Sequence, residues 1–146
     1  MTTSAKAAPE RPGPALLVPA GPWSVRAAGG RRGRAALEVY EHGELLDVVV
    51  LSRLSPALLC GARRSVTAGR AVGLAWGRLP ADGRPPLVEF TGGRLRPLRC
   101  PARVVTVSGA FWTARAEGRF SGVEAVRGGS AERLRLGRAR PVAGSW

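Results

Sequence analysis

The hexapeptide Gly29-Gly30-Arg31-Arg32-Gly33-Arg34 sets three arginines in a glycine-rich stretch. Guanidinium groups presented on such a loop contact phosphate oxygens or enter a narrow minor groove. Two further groups extend this chemistry. Arg63 and Arg64 are adjacent, while Arg133 and Arg135 stand two apart, with Arg138 and Arg140 continuing the run. A spacing of two puts strand side chains on one face, so the second group reads as a basic stripe. Arg31, Arg32, Arg34, Arg63, Arg64, Arg133 and Arg135 form the candidate nucleic-acid-binding set. For each group the competing account is a solvated surface, because charge also serves solubility.

The whole chain leans the same way. Twenty-three basic residues face ten carboxylates, a formal net charge of +13 on 146 residues. A compact body so charged attracts polyanions and repels itself. Lys6 is the only lysine, and alanine, glycine and proline abound beside arginine. Those are the amino acids of GC-rich codons, so the preference for arginine over lysine reports genome composition. The sign of the charge is less constrained by codon bias and remains the feature that points to a partner.

Catalytic chemistry has little to work with. His42 is the sole histidine and falls in a predicted hairpin turn, where a general base lacks the pocket and orienting partner it needs. Cys60 and Cys100 are too few for a disulfide framework and, with one histidine, for a four-ligand zinc site. Both are expected to be small buried side chains. Glu41, Glu44 and Asp47 cluster near the first hairpin, where Glu41 and Glu44 read as solvated charges. The lysine-bearing phosphate loop and the Gly-x-Ser-x-Gly elbow are missing. Gly118-Arg-Phe-Ser-Gly-Val123 does not satisfy the RNA-recognition-motif pattern. Substrate-only chemistry by arginine, Tyr40 or Cys60 is the one catalytic route left. The chain is therefore expected not to be an enzyme and to carry no cofactor or metal.

Short β-rich runs broken by glycine must position whatever the arginines do. Residues 1–13 combine proline with small residues and read as a disordered tail. Residues 14–146 read as one β-rich domain. Runs 35–40 and 45–51 flank a turn containing His42-Gly43, and 71–76 and 86–90 flank Asp82-Gly83. Runs 102–107 and 111–116 meet across Ser108-Gly109, and Gly128-Gly129 joins the last two runs. In 111–117, alternation sends Trp112, Ala114 and Ala116 inward and Thr113, Arg115 and Glu117 to water. Gly122 breaks the phase between Phe120 and Val123, which predicts a β-bulge. The continuous apolar run Val48–Leu51 predicts a strand buried on both faces. Ser55-Pro56 followed by apolar residues and closed by Arg63-Arg64 predicts one short helix over 55–64.

The fold expected is all-β, an antiparallel sandwich or partly open barrel with that one helix. No stretch approaches the apolar length of a membrane span, and the N-terminus lacks the apolar core of a signal peptide, so a cytoplasmic protein is expected. Two functions follow in order. The first is a small basic non-enzymatic module that binds nucleic-acid backbone or another acidic partner. The alternative is a protein-interaction or scaffold module, including a homo-oligomer, whose charge reflects composition. A ligand-binding barrel requires a closed apolar cavity of roughly 300 Å³ or more.

Overall fold

A computed structural model describes residues 16–17, 22–29, 34–52 and 57–138. It is all-β, with two sheets and no helix among those residues. The first sheet has strand order β1-β2-β3-β4, from β1 (Leu16–Leu17), β2 (Trp23–Gly29), β3 (Ala35–Glu41) and β4 (Glu44–Val50). The second holds β5 (Leu59–Thr67), β6 (Arg70–Arg78), β7 (Leu87–Gly92), β8 (Leu98–Val107), β9 (Phe111–Glu117), β10 (Gly122–Arg127), β11 (Ser130–Arg135) and β12 (Gly137–Arg138). Its order is β11-β10-β7-β8-β9-β6-β5-β12. β11 runs through Leu136 into β12, so its two edges meet in consecutive residues. That closure rests on two residue pairs, Gly137↔Arg63 and Arg138↔Arg64, and leaves a partly open barrel.

β6 explains how the sheets are joined. Val72, Leu74 and Trp76 face out of the barrel into a core shared with Trp23, Val25, Leu37, Val39 and Val49 of the first sheet. Ala75 faces the other way, into a cluster with Phe90, Trp112, Phe120 and Leu136 that fills the barrel interior. Its glycine neighbours make room there: a methyl on Gly73 would meet the Phe90 ring, and one on Gly77 would strike the Leu58 carbonyl. Burial on both faces is what a continuous apolar run should produce. The strand that shows it is β6, not the 45–51 run for which it was expected. β4 is an edge strand, and only Val49 within Val48–Leu51 reaches the core, while Leu45 and Val48 are 56% and 45% exposed.

Three other expectations are corrected. Residues 59–64 of the 55–64 segment belong to β5, not a helix, and 55–56 lie outside the described residues. Pairing with β6 and β12 on its two sides overrides the local helix signal. Gly61, which weakens a helix, is needed here because the Trp76 ring lies directly over it. Gly122 is not a bulge, since it pairs in register with Thr91 and Arg135. The phase break comes instead from residues 118–121, which leave the sheet; register shifts occur at Val39/Tyr40 and Leu59/Gly61. Thr113 is buried, not solvated, because it pairs with Trp76 on the face that the first sheet covers.

The hairpin readings hold at His42-Gly43 and Ser108-Gly109, where both residues of each turn have positive φ, as tight hairpin turns require. Asp82-Gly83 does turn the chain, but it connects β6 to β7, which are not neighbours in the sheet. Trp112, Ala114 and Ala116 face the core as expected. The 1–13 segment lies outside the described residues. Among the described residues, no helix is long and apolar enough to cross a membrane.

Candidate nucleic-acid interface

Strand direction gathers arginines from remote stretches at one end of the barrel. Every pairing from β5 round to β11 is antiparallel, so the C-terminal ends of β5, β7, β9 and β11 lie beside the N-terminal ends of β6, β8 and β10. That end carries the 68–69 turn and the loops 93–97 and 118–121. Arg64, Arg70, Arg94, Arg96, Arg99, Arg119 and Arg135 therefore belong to it.

Phe120 closes this end from within. It is buried, its ring centroid 5.3 Å from that of Phe90, and the 118–121 backbone passes so close to Gly92 that no side chain would fit there. Leu136 donates its N–H to Ser121 O at 3.0 Å, which fixes the loop to the last strand. Clefts flank the loop. One, of about 520 Å³, is lined by Arg64, Ser65, Val66 and Arg119. The other, of about 490 Å³, is lined by Arg99, Arg133, Arg135 and Leu98.

Acidic residues neutralise part of this set. Arg133 lies 2.9 Å from Glu124, Arg99 pairs with Glu89 and Glu124, and Arg70 lies 3.7 Å from Glu117. Arg64, Arg94, Arg96, Arg119 and Arg135 have no ion pair among the described residues. Their charges are held at the barrel end without a carboxylate partner among the described residues.

The sequence-derived set is thus split. Arg64 and Arg135 belong to the barrel end. Arg63 points to the opposite face from Arg64, as successive strand residues must, and is half-buried. It lines a smaller cleft of about 350 Å³ with Asp47, Cys60, Trp76 and Arg135. Arg133 shares the outward face of β11 with Arg135, as the stripe predicted, but Glu124 occupies it. Arg34 is exposed at the start of β3 and lines neither barrel-end cleft. Arg31, Arg32 and Arg140 lie outside the described residues. Sequence reading missed Arg94, Arg96 and Arg119, because which loops share an end depends on strand order. The available signal was Gly93-Arg94-Leu95-Arg96, a charged turn whose two flanking runs prove to be the paired strands β7 and β8.

The other chemical candidates are structural or muted. Glu41 is buried, not solvated, and accepts from Trp23 Nε1–H at 2.8 Å. Asp47 likewise accepts from Trp76 Nε1–H at 2.8 Å. His42 is an exposed turn residue. Burial pushes the Cys60 thiol above its ordinary pKa, and Cys60 and Cys100 are half-buried, not core. The hydrogen bond from Tyr40 to Glu38 raises the phenol, while Arg26 and Tyr40 hold the Glu38 carboxyl below the usual range. Both candidate nucleophiles are thereby kept protonated. Among the described residues, no group of three or more His, Cys, Asp or Glu is placed to hold a metal ion.

Comparison with other proteins adds no relative: no family model matches the chain, and no curated protein or solved structure is significantly similar to it.

Proposed function

We propose that this protein is a small, basic, non-enzymatic module that binds nucleic-acid backbone through the barrel end. The observation that carries the reading is the group of five arginines there without an ion pair among the described residues, on loops and strand ends around two clefts. A phosphate chain laid over such a rim releases its condensed counterions, which makes binding favourable and salt-dependent. The low thiolate and phenolate character of Cys60 and Tyr40 supports a binding role over covalent chemistry.

Fluorescence anisotropy with a labelled duplex, repeated at rising salt, tests the reading. With up to five phosphate contacts, log K is expected to fall against log salt with a slope of about −3 to −4.5. No binding at low salt, or an affinity indifferent to salt, would overturn it.

β4 favours a second reading, an interaction module formed by two copies of the chain. Its outer side chains Leu45, Val48 and Val50 are exposed on the edge of the first sheet. An exposed apolar edge strand is a template for another strand. Light scattering after size exclusion separates the two readings: a dimer lost in Val48→Lys supports the second, and a monomer at all concentrations removes it.

A further inference from the structure

Leu95 is the most exposed large apolar side chain of the described residues, at 97%. It stands between Arg94 and Arg96, with Pro97 following, at the tip of the β7–β8 hairpin. The loop that carries it is compact: Gly93 has φ +93° and its backbone packs directly against the Arg96 carbonyl, so no side chain would fit at that position. A single exposed leucine needs no explanation by itself. One pushed outward by a tight turn, flanked by two arginines without ion pairs among the described residues, presents an apolar tip between two phosphate contacts. Architectural proteins use this combination in the minor groove, where a leucine or proline wedges between base steps while basic side chains hold the flanking backbone. Among the described residues, the end of the barrel offers no aromatic alternative. Phe120 is turned inward against Phe90, and no aromatic ring lines the two clefts except the buried face of Phe120.

We infer that the ligand is duplex nucleic acid and that Leu95 inserts between its base steps and bends it, with Arg94 and Arg96 on the flanking phosphates. The inference rests on the proposed barrel-end interface and adds a deformation to it. Insertion costs least where stacking is weakest, so the protein should favour duplexes with a flexible pyrimidine–purine step, a mismatch or a nick. Base identity enters only through that flexibility.

The test uses a duplex labelled at both ends, with energy transfer reporting its end-to-end distance. The full chain is expected to raise transfer on binding and to prefer a mismatched duplex over a matched one by about tenfold, in line with the cost of unstacking one step. Leu95→Ala should bind with an unchanged salt slope yet lose the bend and the preference. Arg94→Gln with Arg96→Gln should lower the slope by nearly two, about 0.9 per contact. Binding without any change in transfer, or a bend unaffected by Leu95→Ala, would overturn the inference and leave the interface standing. Absence of binding to every duplex would remove the interface itself. Vesicles of phosphatidylserine form the last arm: Leu95-dependent capture by them, with none by duplex, would reassign the tip to a membrane surface and overturn the inference.

Discussion

Trp112→Ala is expected to destabilise the protein by about 3–5 kcal/mol, the range for truncating a buried tryptophan. The indole is fully buried in the barrel interior and packs directly against Gly77. Its Nε1–H donates to Leu58 O at 3.2 Å, a carbonyl that also accepts from Arg78 N at 3.0 Å. The loss is therefore mainly a cavity, because the carbonyl keeps one donor. Against a typical total of roughly 5–15 kcal/mol, a cavity of that size is a large fraction of the whole. Urea denaturation followed by circular dichroism measures it, and Trp112→Phe keeps the assay informative if the alanine variant fails to fold. Phenylalanine retains most of the packing and should lose about 1–2 kcal/mol, from the missing hydrogen bond and the smaller ring. A loss below about 1 kcal/mol for alanine would mean that the barrel interior is not packed around this ring.

How much of this was legible in the sequence depended on whether the signal was local. Turn dipeptides marked the chain reversals at His42-Gly43 and Ser108-Gly109, since positive φ is a property of the residues themselves. Alternation placed Trp112, Ala114 and Ala116 on the inner face, since strand periodicity is local too. Burial on both faces was assigned to the wrong strand. The residues of β4 are as apolar as those of β6, and only sheet order and the packing of the two sheets make one an edge and the other an inner strand covered on both faces. The helix over 55–64 failed for the same reason. Its capping pattern is a local preference, whereas the pairing with β6 and the Trp76 ring over Gly61 are tertiary facts.

The proposed barrel-end interface was legible only in part. Net charge pointed to a polyanion, and Arg64 and Arg135 were named from the sequence. Arg94, Arg96 and Arg119 entered only when the antiparallel order brought their loops to one end. Glu124, distant from Arg133 along the chain only by one hairpin, removed a residue that spacing alone had favoured.

Barrel-end charge is predicted to matter more than total charge, and one comparison tests that directly. Arg64→Gln, Arg119→Gln and Arg135→Gln combined lower the formal charge from +13 to +10 (13 − 3), and so do Arg34→Gln, Arg84→Gln and Arg103→Gln. The second trio is exposed and free of ion pairs among the described residues, but lies beside the first sheet, at the opposite end and on the barrel side. Both variants should fold like the parent, since every substituted side chain lies on the surface or at a cleft mouth. Salt-titrated duplex binding should then show the first trio losing about 2.7 from the slope, 0.9 for each contact, and the second losing less than about one. Equal losses in the two would contradict the account, because duplex affinity would then follow overall charge and no barrel-end site would exist.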